Sequence, residues 1–262
     1  MNLISAEYLE SFSLGCQTNW DDVSLKMHDH ENKSSETLKQ YLKDAAYYSF
    51  KSDKLQSTEK LKNIESIAED SLLSSEVQDL YHAYLFALEH PLNKQNFLQT
   101  FEILSSHLLS ENHQSIFREE KLPLDESNAT IPLYVAVEAE NVESKFSILF
   151  DDIEFLKSED LTTEETFYYA SVIHLWLLKI NPFAVANDAA ARFLEKWFLA
   201  TKIGRGAWCI NSEKYYFENL ATYHQNLSLG FNFYALFWGK CIPFLLMLPD
   251  AFEQSAENKT VS

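Results

Sequence analysis

Glycine and proline are scarce in this chain, and their scarcity limits the folds that it can adopt. Only five of the 262 residues are glycine and six are proline. A fold made of many short strands needs these residues at its tight turns, so the sequence favours a mainly helical protein. The five glycines, Gly15, Gly204, Gly206, Gly230 and Gly239, cannot supply a phosphate-binding P-loop or a dinucleotide-binding GxGxxG turn.

The composition is that of a globular protein with a strong negative charge. Hydrophobic residues make up 46% of the chain and aromatic residues 14%, which is enough for a sizeable core. The 39 acidic and 21 basic residues give a formal net charge of −18. Such a chain repels nucleic acid and anionic membranes, because phosphate groups are bound by clustered lysine and arginine.

Cysteine usage and hydropathy bear on the cell compartment. Three widely spaced cysteines, Cys16, Cys209 and Cys241, form neither a disulfide framework nor a CxxC zinc pair, which is typical of a reducing cytosol. The most apolar stretch, Phe231 to Leu248, is interrupted by polar residues, a glycine and a proline. We interpret this stretch as a buried core helix rather than a membrane span, and we expect a cytoplasmic protein.

Apolar residues recur at helical spacing along most of the chain, which predicts a mainly α-helical bundle. The exception is residues 116–137, where prolines, a turn-forming run and a β-rich segment predict one inserted hairpin. We divide the chain into a helical N-terminal region (1–75), a core domain (76–250) and a flexible tail (251–262). The predicted helices cover residues 34–48, 74–90, 94–109, 142–156, 163–180, 189–201, 213–227 and 231–248.

Isolated titratable residues give only weak functional signals. His28-Asp29-His30 could supply two metal ligands, but a loop cluster of this kind is more often solvated. No HExxH or GxSxG motif occurs in the sequence. His174 lies on the apolar stripe of the helix predicted over 163–180, so we interpret it as a hydrogen-bonded core histidine.

One stretch stands out, residues 180–192, which read INPFAVANDAAAR. A long helix is followed by a Pro-Phe loop, an asparagine and a second helix with an arginine near its start. This plan resembles the core motif of the Fic family, HPFx(D/E)GNGRxxR. Pro182, Phe183, Asn187 and Arg192 match the motif.

The remaining motif positions depart from the family pattern. Asn181 stands where the family has its histidine, and Val185 stands where it has its acid. Ala186 and Asp188 replace the two glycines, and Ala189 replaces the first arginine. These positions differ from the groups that carry the family's chemistry, while the order of the matching residues in the segment is kept.

The flanking sequence extends the resemblance to about residues 44–248. His174 lies seven residues before Asn181, a spacing that is common in the family. Further matches occur in the family's order and surround the predicted hairpin: Glu76-Val77, Leu104 to His107, Phe117-Arg118 and Tyr223 to Leu227. In this comparison we interpret Arg118 as a structural anchor rather than a ligand.

The resemblance implies an all-α Fic fold with one hairpin. Active members transfer the AMP part of ATP to a hydroxyl of a target protein. Their histidine deprotonates the hydroxyl, their acid binds magnesium, and the Gly-Asn-Gly loop holds the phosphates at a helix N-terminus. The hairpin docks the target segment as an added strand. We therefore expect a protein partner docked near Leu122–Val137, and dimers of similar proteins make a homodimer compatible with the sequence.

Many family members also carry an inhibitory helix of pattern (S/T)xxxE(G/N), whose glutamate pairs with the second motif arginine. In this chain the helix would cover about residues 36–54, with Ser49 and Asp53 as the regulatory residues and Lys54 at the Gly/Asn position. We predict that Asp53 lies within about 10 Å of Arg192. The alternative is an exposed helix end with mixed charges, with Arg192 paired to its neighbour Asp188 on the surface.

These observations predict a degenerate Fic-domain protein without AMP transferase activity, which acts by binding or regulating another protein. No catalytic residue is assigned, since Asn181 cannot act as a base, and only Asn187 and Arg192 remain to contact a phosphate. No cofactor or metal is expected. The alternative is a noncanonical transferase that uses ATP and magnesium or another donor, with His107, His113 or His174 as its base. A third reading is an unrelated helical interaction module.

Overall fold

The computed structural model of the protein describes residues 2–57, 74–109, 116–119 and 135–257. This part of the chain is mainly α-helical and contains no β-strand, which confirms the predicted helical fold class. Two 3-10 helices, Arg205–Cys209 and Trp238–Lys240, occur beside the α-helices. The α-helices are α1 (Leu9–Gly15), α2 (Trp20–Glu31), α3 (Ser35–Ser57), α4 (Ser75–Glu89), α5 (Lys94–Leu104), α6 (Ala139–Ser158), α7 (Thr163–Ile180), α8 (Asn187–Ile203), α9 (Ser212–Glu218), α10 (Leu220–Asn226), α11 (Ile242–Leu245) and α12 (Met247–Glu257).

The predicted hairpin falls mostly on residues 120–134, which lie outside the described part of the chain. Residues 135–137, at the C-terminal end of the predicted hairpin, are described. The backbone N–H of Val135 donates to the carbonyl of Phe231 at 2.8 Å, and the N–H of Phe233 donates to the carbonyl of Val135 at 3.0 Å. These two bonds form an isolated parallel bridge between Val135 and Asn232. The hairpin itself stays a prediction.

Helices α7 and α8 form the centre of the bundle and carry the loop that joins them. α7 begins at a capping box, in which Glu165 N–H donates to Thr162 Oγ1 at 3.2 Å and Thr162 N–H donates to Glu165 Oε2 at 2.8 Å. Most side chains of α7 are buried, because α1, α2, α6 and α11 pack around it. The two helices therefore provide a rigid base for the loop over residues 181–186.

The N-terminal region is packed onto this centre. Helix α3 lies against α4, α8 and α9. At the start of the chain, the backbone N–H groups of Leu3 and Ile4 donate to Oδ2 of Asp152, at 2.6 and 2.9 Å. Asp152 is buried on α6. Residues on both sides of position 75 consequently share one hydrophobic core.

Three charged side chains of α8 point into the core: Arg192 and Lys196 each pair with a carboxylate, and Glu195 accepts a hydrogen bond from the Tyr216 hydroxyl. Arg192, Glu195 and Lys196 are each at most 1% exposed. Lys196 forms an ion pair with Glu213, which also accepts a hydrogen bond from Tyr84 at 2.7 Å. Because an unpaired charge in a protein core is costly, these contacts fix the rotation of α8 about its axis.

The prediction of one core helix over residues 231–248 is wrong. This stretch contains the bridge to Val135, the 3-10 helix Trp238–Lys240, α11 and the start of α12. Gly230, just before this stretch, adopts a φ of 146°, which is not helical. Oδ1 of Asn232 accepts the backbone N–H of Tyr234 at 3.0 Å, a local bond that competes with helix formation.

Two other boundaries also differ from the sequence prediction. The helix predicted over 213–227 is divided at Asn219 into α9 and α10. The flexible tail does not begin at residue 251, because α12 continues to Glu257 and buries Ala251 and Phe252. Among the described helices, none is both long enough and apolar enough to cross a bilayer.

The ion pair between α8 and α9 leads to a test of how the core is held. We expect Lys196→Met to lower the free energy of unfolding by about 3–5 kcal/mol, because Glu213 would lose its buried cation. The double variant Lys196→Met/Glu213→Gln removes both charges and should recover most of this loss. Chemical denaturation at neutral pH measures both values. The pairing would be contradicted if the free energy of unfolding of the double variant fell by the sum of the losses caused by Lys196→Met and Glu213→Gln separately.

Candidate functional site

The loop between α7 and α8 contains the motif segment, and two of its residues adopt left-handed backbone conformations. Asn181 ends α7 with a φ of 49°, and Ala186 precedes α8 with a φ of 56°. Asparagine tolerates this region, whereas alanine pays about 1–2 kcal/mol for it. Ala186 therefore holds a backbone conformation that is usual for glycine and uncommon for alanine.

Asn187 holds the loop closed through its side chain. Its Oδ1 accepts the backbone N–H of Phe183 at 2.9 Å, and its Nδ2 donates to the carbonyl of Phe183 at 2.8 Å. The Phe183 ring is fully buried and stacks on Phe101 with ring centroids 3.6 Å apart. Both matched residues therefore serve the conformation of the loop, since the amide of Asn187 is already engaged by the backbone.

Arg118 is a structural anchor, which confirms the prediction from sequence. Its Nε donates to the carbonyl of Asn181 at 2.7 Å, and its Nη2 donates to the carbonyl of Val137. Its backbone N–H donates to the carbonyl of Pro182 at 3.0 Å. The side chain is only 5% exposed. Arg118 thus connects the start of the loop over residues 181–186, which we call the motif loop, to the chain segment that precedes α6.

Arg192 is enclosed by helix α3. Its Nε donates to Ser49 Oγ at 3.0 Å, its Nη2 donates to the carbonyl of Ser49 at 3.1 Å, and Nη2 also pairs with Asp53 Oδ1. The prediction that Asp53 lies near Arg192 is confirmed. The alternative of a surface arginine on an exposed helix end is wrong, because Arg192 and Ser49 are buried. The side chain of Lys54 lies outside the described residues.

Burial and mutual attraction act differently on the pKa values of Asp53 and Arg192. Burial raises the pKa of Asp53 from 3.8 to about 6, although Arg192 opposes this change. Burial would lower the pKa of Arg192, but the attraction of Asp53 outweighs it and raises that pKa above its ordinary value. The same attraction favours the charged form of both groups, and only for the carboxylate does the cost of burial exceed it. Asp53 is therefore ionised at neutral pH and close to titration in mild acid.

A cavity of about 190 Å³ lies beside the loop. Phe50, Leu80 and Leu104 form one part of its wall, and the motif residues Val185, Ala186 and Ala189 form another. Asp53 and Glu76 also line it. The space next to the motif is thus small, largely apolar and acidic.

The histidines named as alternative bases differ in their surroundings. His174 is fully buried, and its ring nitrogens lie 2.7 Å from Glu195 Oε2 and 2.9 Å from the Tyr223 hydroxyl, which confirms a core histidine. His107 Nδ1 lies 2.6 Å from Oδ2 of Asp79 and anchors the turn after α5. His113 lies outside the described residues. Neither described histidine is placed by these contacts to act on a group bound at the motif loop.

Sequence reasoning missed His224 on α10. Burial lowers the pKa of His224, and the charges of Asp188 and Arg192 act on it. Within the described part of the chain, its buried Nε2 has no hydrogen-bond partner, and the same is true of Oδ1 of Asn181. His224 lies inside the segment Tyr223 to Leu227 that carried the resemblance, so the sequence offered a signal for it.

The described residues show no ready metal site. No group of three or more His, Cys, Asp and Glu side chains in this part of the chain lies close enough together to hold a metal ion. In the His-Asp-His cluster, Nδ1 of His28 lies 3.8 Å from Oε2 of Glu31, and both side chains are exposed on α2.

Comparison with known proteins identifies the fold. No family model matches the chain, and no curated protein matches its sequence. Among solved structures, a Fic family protein from Desulfovibrio desulfuricans G20 matches with a TM-score of 0.65 at 13% identity, over 92% of this chain and 74% of that one. A Fic domain containing signaling protein from Bacteroides thetaiotaomicron VPI-5482 matches with a TM-score of 0.62 at 12% identity, over 92% of this chain and 95% of that one. The chain therefore has a Fic-like fold.

The left-handed alanine gives a testable consequence. We expect Ala186→Gly to raise the free energy of unfolding by about 0.5–1 kcal/mol, because relief of the left-handed strain exceeds the entropy that glycine adds to the unfolded chain. Ala184→Gly is the matched control, since Ala184 in the same loop has a negative φ. This control should be destabilised by about 0.4–1 kcal/mol. Equal effects of the two substitutions in denaturant unfolding would contradict the role of the backbone conformation.

The raised pKa of Asp53 predicts a specific pH dependence of stability. The folded protein holds the Asp53 proton up to about pH 6, whereas the unfolded chain releases it near 3.8. The stability that this proton contributes is present below about pH 4 and is lost as the pH rises through about 6. Relative to Asp53→Asn, the wild-type free energy of unfolding should fall by about 1–3 kcal/mol across this window.

Denaturant unfolding from about pH 4 to pH 7 measures this difference. Asp151→Asn is the control, since Asp151 is an exposed acid on α6 and should leave the pH dependence unchanged. If the wild-type protein instead gained stability relative to Asp53→Asn as the pH rose, the attraction of Arg192 would outweigh the burial of the carboxylate.

Proposed function

We propose that this protein with a Fic-like fold binds and regulates another protein and does not transfer AMP. The observation that carries the proposal is the enclosure of Arg192, the last cation of the motif. Its guanidinium is 1% exposed and is occupied by Ser49 and Asp53. A phosphate could reach it only if α3 moved away from α8.

The motif residues argue against transfer even with Arg192 released. The amide of Asn181 does not titrate near neutral pH, and the loss of a general base typically costs about 10²–10⁴ in rate. Val185 has no oxygen to bind magnesium, so several kcal/mol of charge stabilisation would be missing. Because Asn187 uses both ends of its amide on Phe183, it is not available to a phosphate without opening the loop.

Asp188 adds an electrostatic barrier at the start of α8. It lies in the first turn, where its carboxylate adds a negative charge at the end of the helix that attracts anions. A phosphate charge at about 4 Å from this carboxylate would be repelled by about 4 kcal/mol at an effective dielectric constant near 20. The site therefore favours a ligand other than a nucleotide.

An exposed apolar patch supports the binding of a protein partner. Val135 is 53% exposed at the described end of the predicted hairpin, and Phe231, Tyr234 and Phe237 are more than 60% exposed. Backbone bonds between Val135 and residues 231–233 connect the two segments. We propose that a cytoplasmic partner docks along Leu122–Val137 and this aromatic patch. One of the structures with the same fold is described as a signaling protein, which agrees with a regulatory role.

The surroundings of His224 favour one second candidate function, a noncanonical transferase. Its lowered pKa keeps the imidazole neutral at pH 7, and Nε2 has no hydrogen-bond partner among the described residues. A neutral imidazole can accept a proton, which Asn181 cannot do. This function would use ATP and magnesium or another phosphate-containing donor, and it would require Arg192 to be released from Asp53.

Calorimetric titration with ATP, with and without magnesium, separates the two functions. We expect no binding heat from the wild-type protein at millimolar ATP, because Arg192 is enclosed and Asp188 repels phosphate. Asp53→Ala, which removes the carboxylate that pairs with Arg192, should still transfer no labelled AMP to itself or to added protein. Binding that disappears in Arg192→Ala, or label that disappears in His224→Ala, would overturn the proposal and favour the transferase.

A further inference from the structure

A second cavity, of about 560 Å³, lies along α7. Its volume falls within the range of about 300–1,000 Å³ that is typical of small-molecule sites. Tyr168, Val172 and Trp176 line it, and because these positions are four residues apart they share one face of α7. The other walls come from the N-terminal segment 2–8, from α6 and from residues 233–241. The described residues that line this cavity do not include the motif loop, so it is separate from the candidate site.

Aromatic rings form the floor and the mouth of this cavity. Six of the residues that line it are aromatic, namely Tyr8, Tyr168, Trp176, Phe233, Tyr234 and Trp238. The ring centroid of Trp176 lies 4.4 Å from that of Trp238 and 5.8 Å from that of Phe233. Trp176 and Phe233 are buried, whereas Tyr234 is exposed, so the rings extend from the floor to the surface. A planar aromatic ligand gains more against such rings than its buried area alone provides.

The walls of this cavity are held in place by the protein itself. The Tyr168 hydroxyl donates to the carbonyl of Ser5 at 2.7 Å, and Asp152 binds backbone N–H groups of the same N-terminal segment. On another side, the backbone N–H of Phe233 donates to the carbonyl of Val135 at 3.0 Å. Because these wall segments are already fixed, a ligand does not have to order them, and less free energy is lost on binding.

Lys145 on α6 supplies a positive charge to this cavity. Its Nζ lies 6.0 Å from the centroid of the Phe233 ring, and it forms no ion pair with the described residues. Burial raises the pKa of the Cys241 thiol to about 12, so this group is neutral at pH 7. Glu7 is exposed and lies beside the Tyr8 hydroxyl, whose pKa is raised by burial and by Glu7. Lys145 is therefore the charged group that selects a polar substituent on the ligand.

We infer that this cavity binds a planar aromatic compound that carries a carboxylate, with the ring against Trp176, Trp238 and Phe233 and the carboxylate at Lys145. The rings replace water at the apolar floor, and the ammonium group donates a charge-assisted hydrogen bond to the carboxylate. The inference does not depend on the proposed function, because it concerns residues outside the motif.

The probe for this inference is 2-naphthoate, and ligand-observed NMR measures its affinity. Decahydro-2-naphthoate has the same carbon skeleton and charge without a planar ring, and we expect it to bind about two- to tenfold more weakly. The uncharged 2-naphthamide keeps the planar ring, and we expect it to bind about three- to tenfold more weakly, since it lacks the charge that Lys145 attracts. The inference would be overturned if 2-naphthoate did not bind, or if either analogue bound as tightly as 2-naphthoate.

Two variants test the contribution of Lys145. Lys145→Gln should abolish the preference for 2-naphthoate over 2-naphthamide, because the ammonium group is removed. Lys39→Gln is the matched control, since Lys39 is exposed and does not line this cavity. It should leave that preference unchanged. An equal effect of the two substitutions would show that the probe binds outside this cavity, and it would overturn the inference.

A third variant tests the aromatic floor. Trp238→Leu should reduce the preference for 2-naphthoate over its saturated analogue, because one of the rings is replaced by an aliphatic side chain. Thermal unfolding confirms that the variants are folded. Lys145 is only half-buried, so Lys145→Gln decides the question even where Trp238→Leu destabilises the fold. An unchanged preference in a folded Trp238→Leu protein would contradict the assignment of the ring.

Discussion

The contact of Arg192 with Ser49 and Asp53 is the interaction on which the arrangement of the site depends. It joins α3 of the N-terminal region to α8 of the central pair, and it does so inside the core, where a guanidinium without partners would cost several kcal/mol. Glu195 and Lys196 on the next turn are satisfied by Tyr216 and Glu213. A rotation of α8 about its axis would break all of these contacts together. They therefore fix the point at which the preceding loop joins α8.

The shape of the loop between α7 and α8 depends on a few backbone and side-chain contacts. Asn181 and Ala186 keep left-handed conformations, and the amide of Asn187 still spans both backbone groups of Phe183. Each of these features is needed to connect α7 to α8 and to bury the Phe183 ring. Packing constraints therefore account for the positions of Phe183 and Asn187 in this loop.

Sequence reasoning predicted helices α3 to α8, whose apolar residues recur regularly, but it missed α1 and α2. It also predicted the meeting of Asp53 and Arg192 from the spacing of a resembling motif. It failed at residues 231–248, because apolar content was taken as helix, whereas the side chain of Asn232 makes a local bond to the backbone of Tyr234 that competes with helix formation. The apolar cavity could not be foreseen, since Leu80, Leu104 and Val185 are far apart in sequence and meet only through packing. His224 was missed because its position near Asp188 depends on how α10 returns to the loop.

Asp53 links the two sides of the site. Its Oδ1 holds Arg192 from α8, and its exposed surface faces a cavity that α4 and the motif loop complete. Burial already raises the pKa of this carboxylate to about 6, so the ionised form that pairs with Arg192 is held against the cost of burial. At the contact between α3 and α8, the attraction within the ion pair and the burial of its acid therefore oppose each other, and the same contact encloses Arg192.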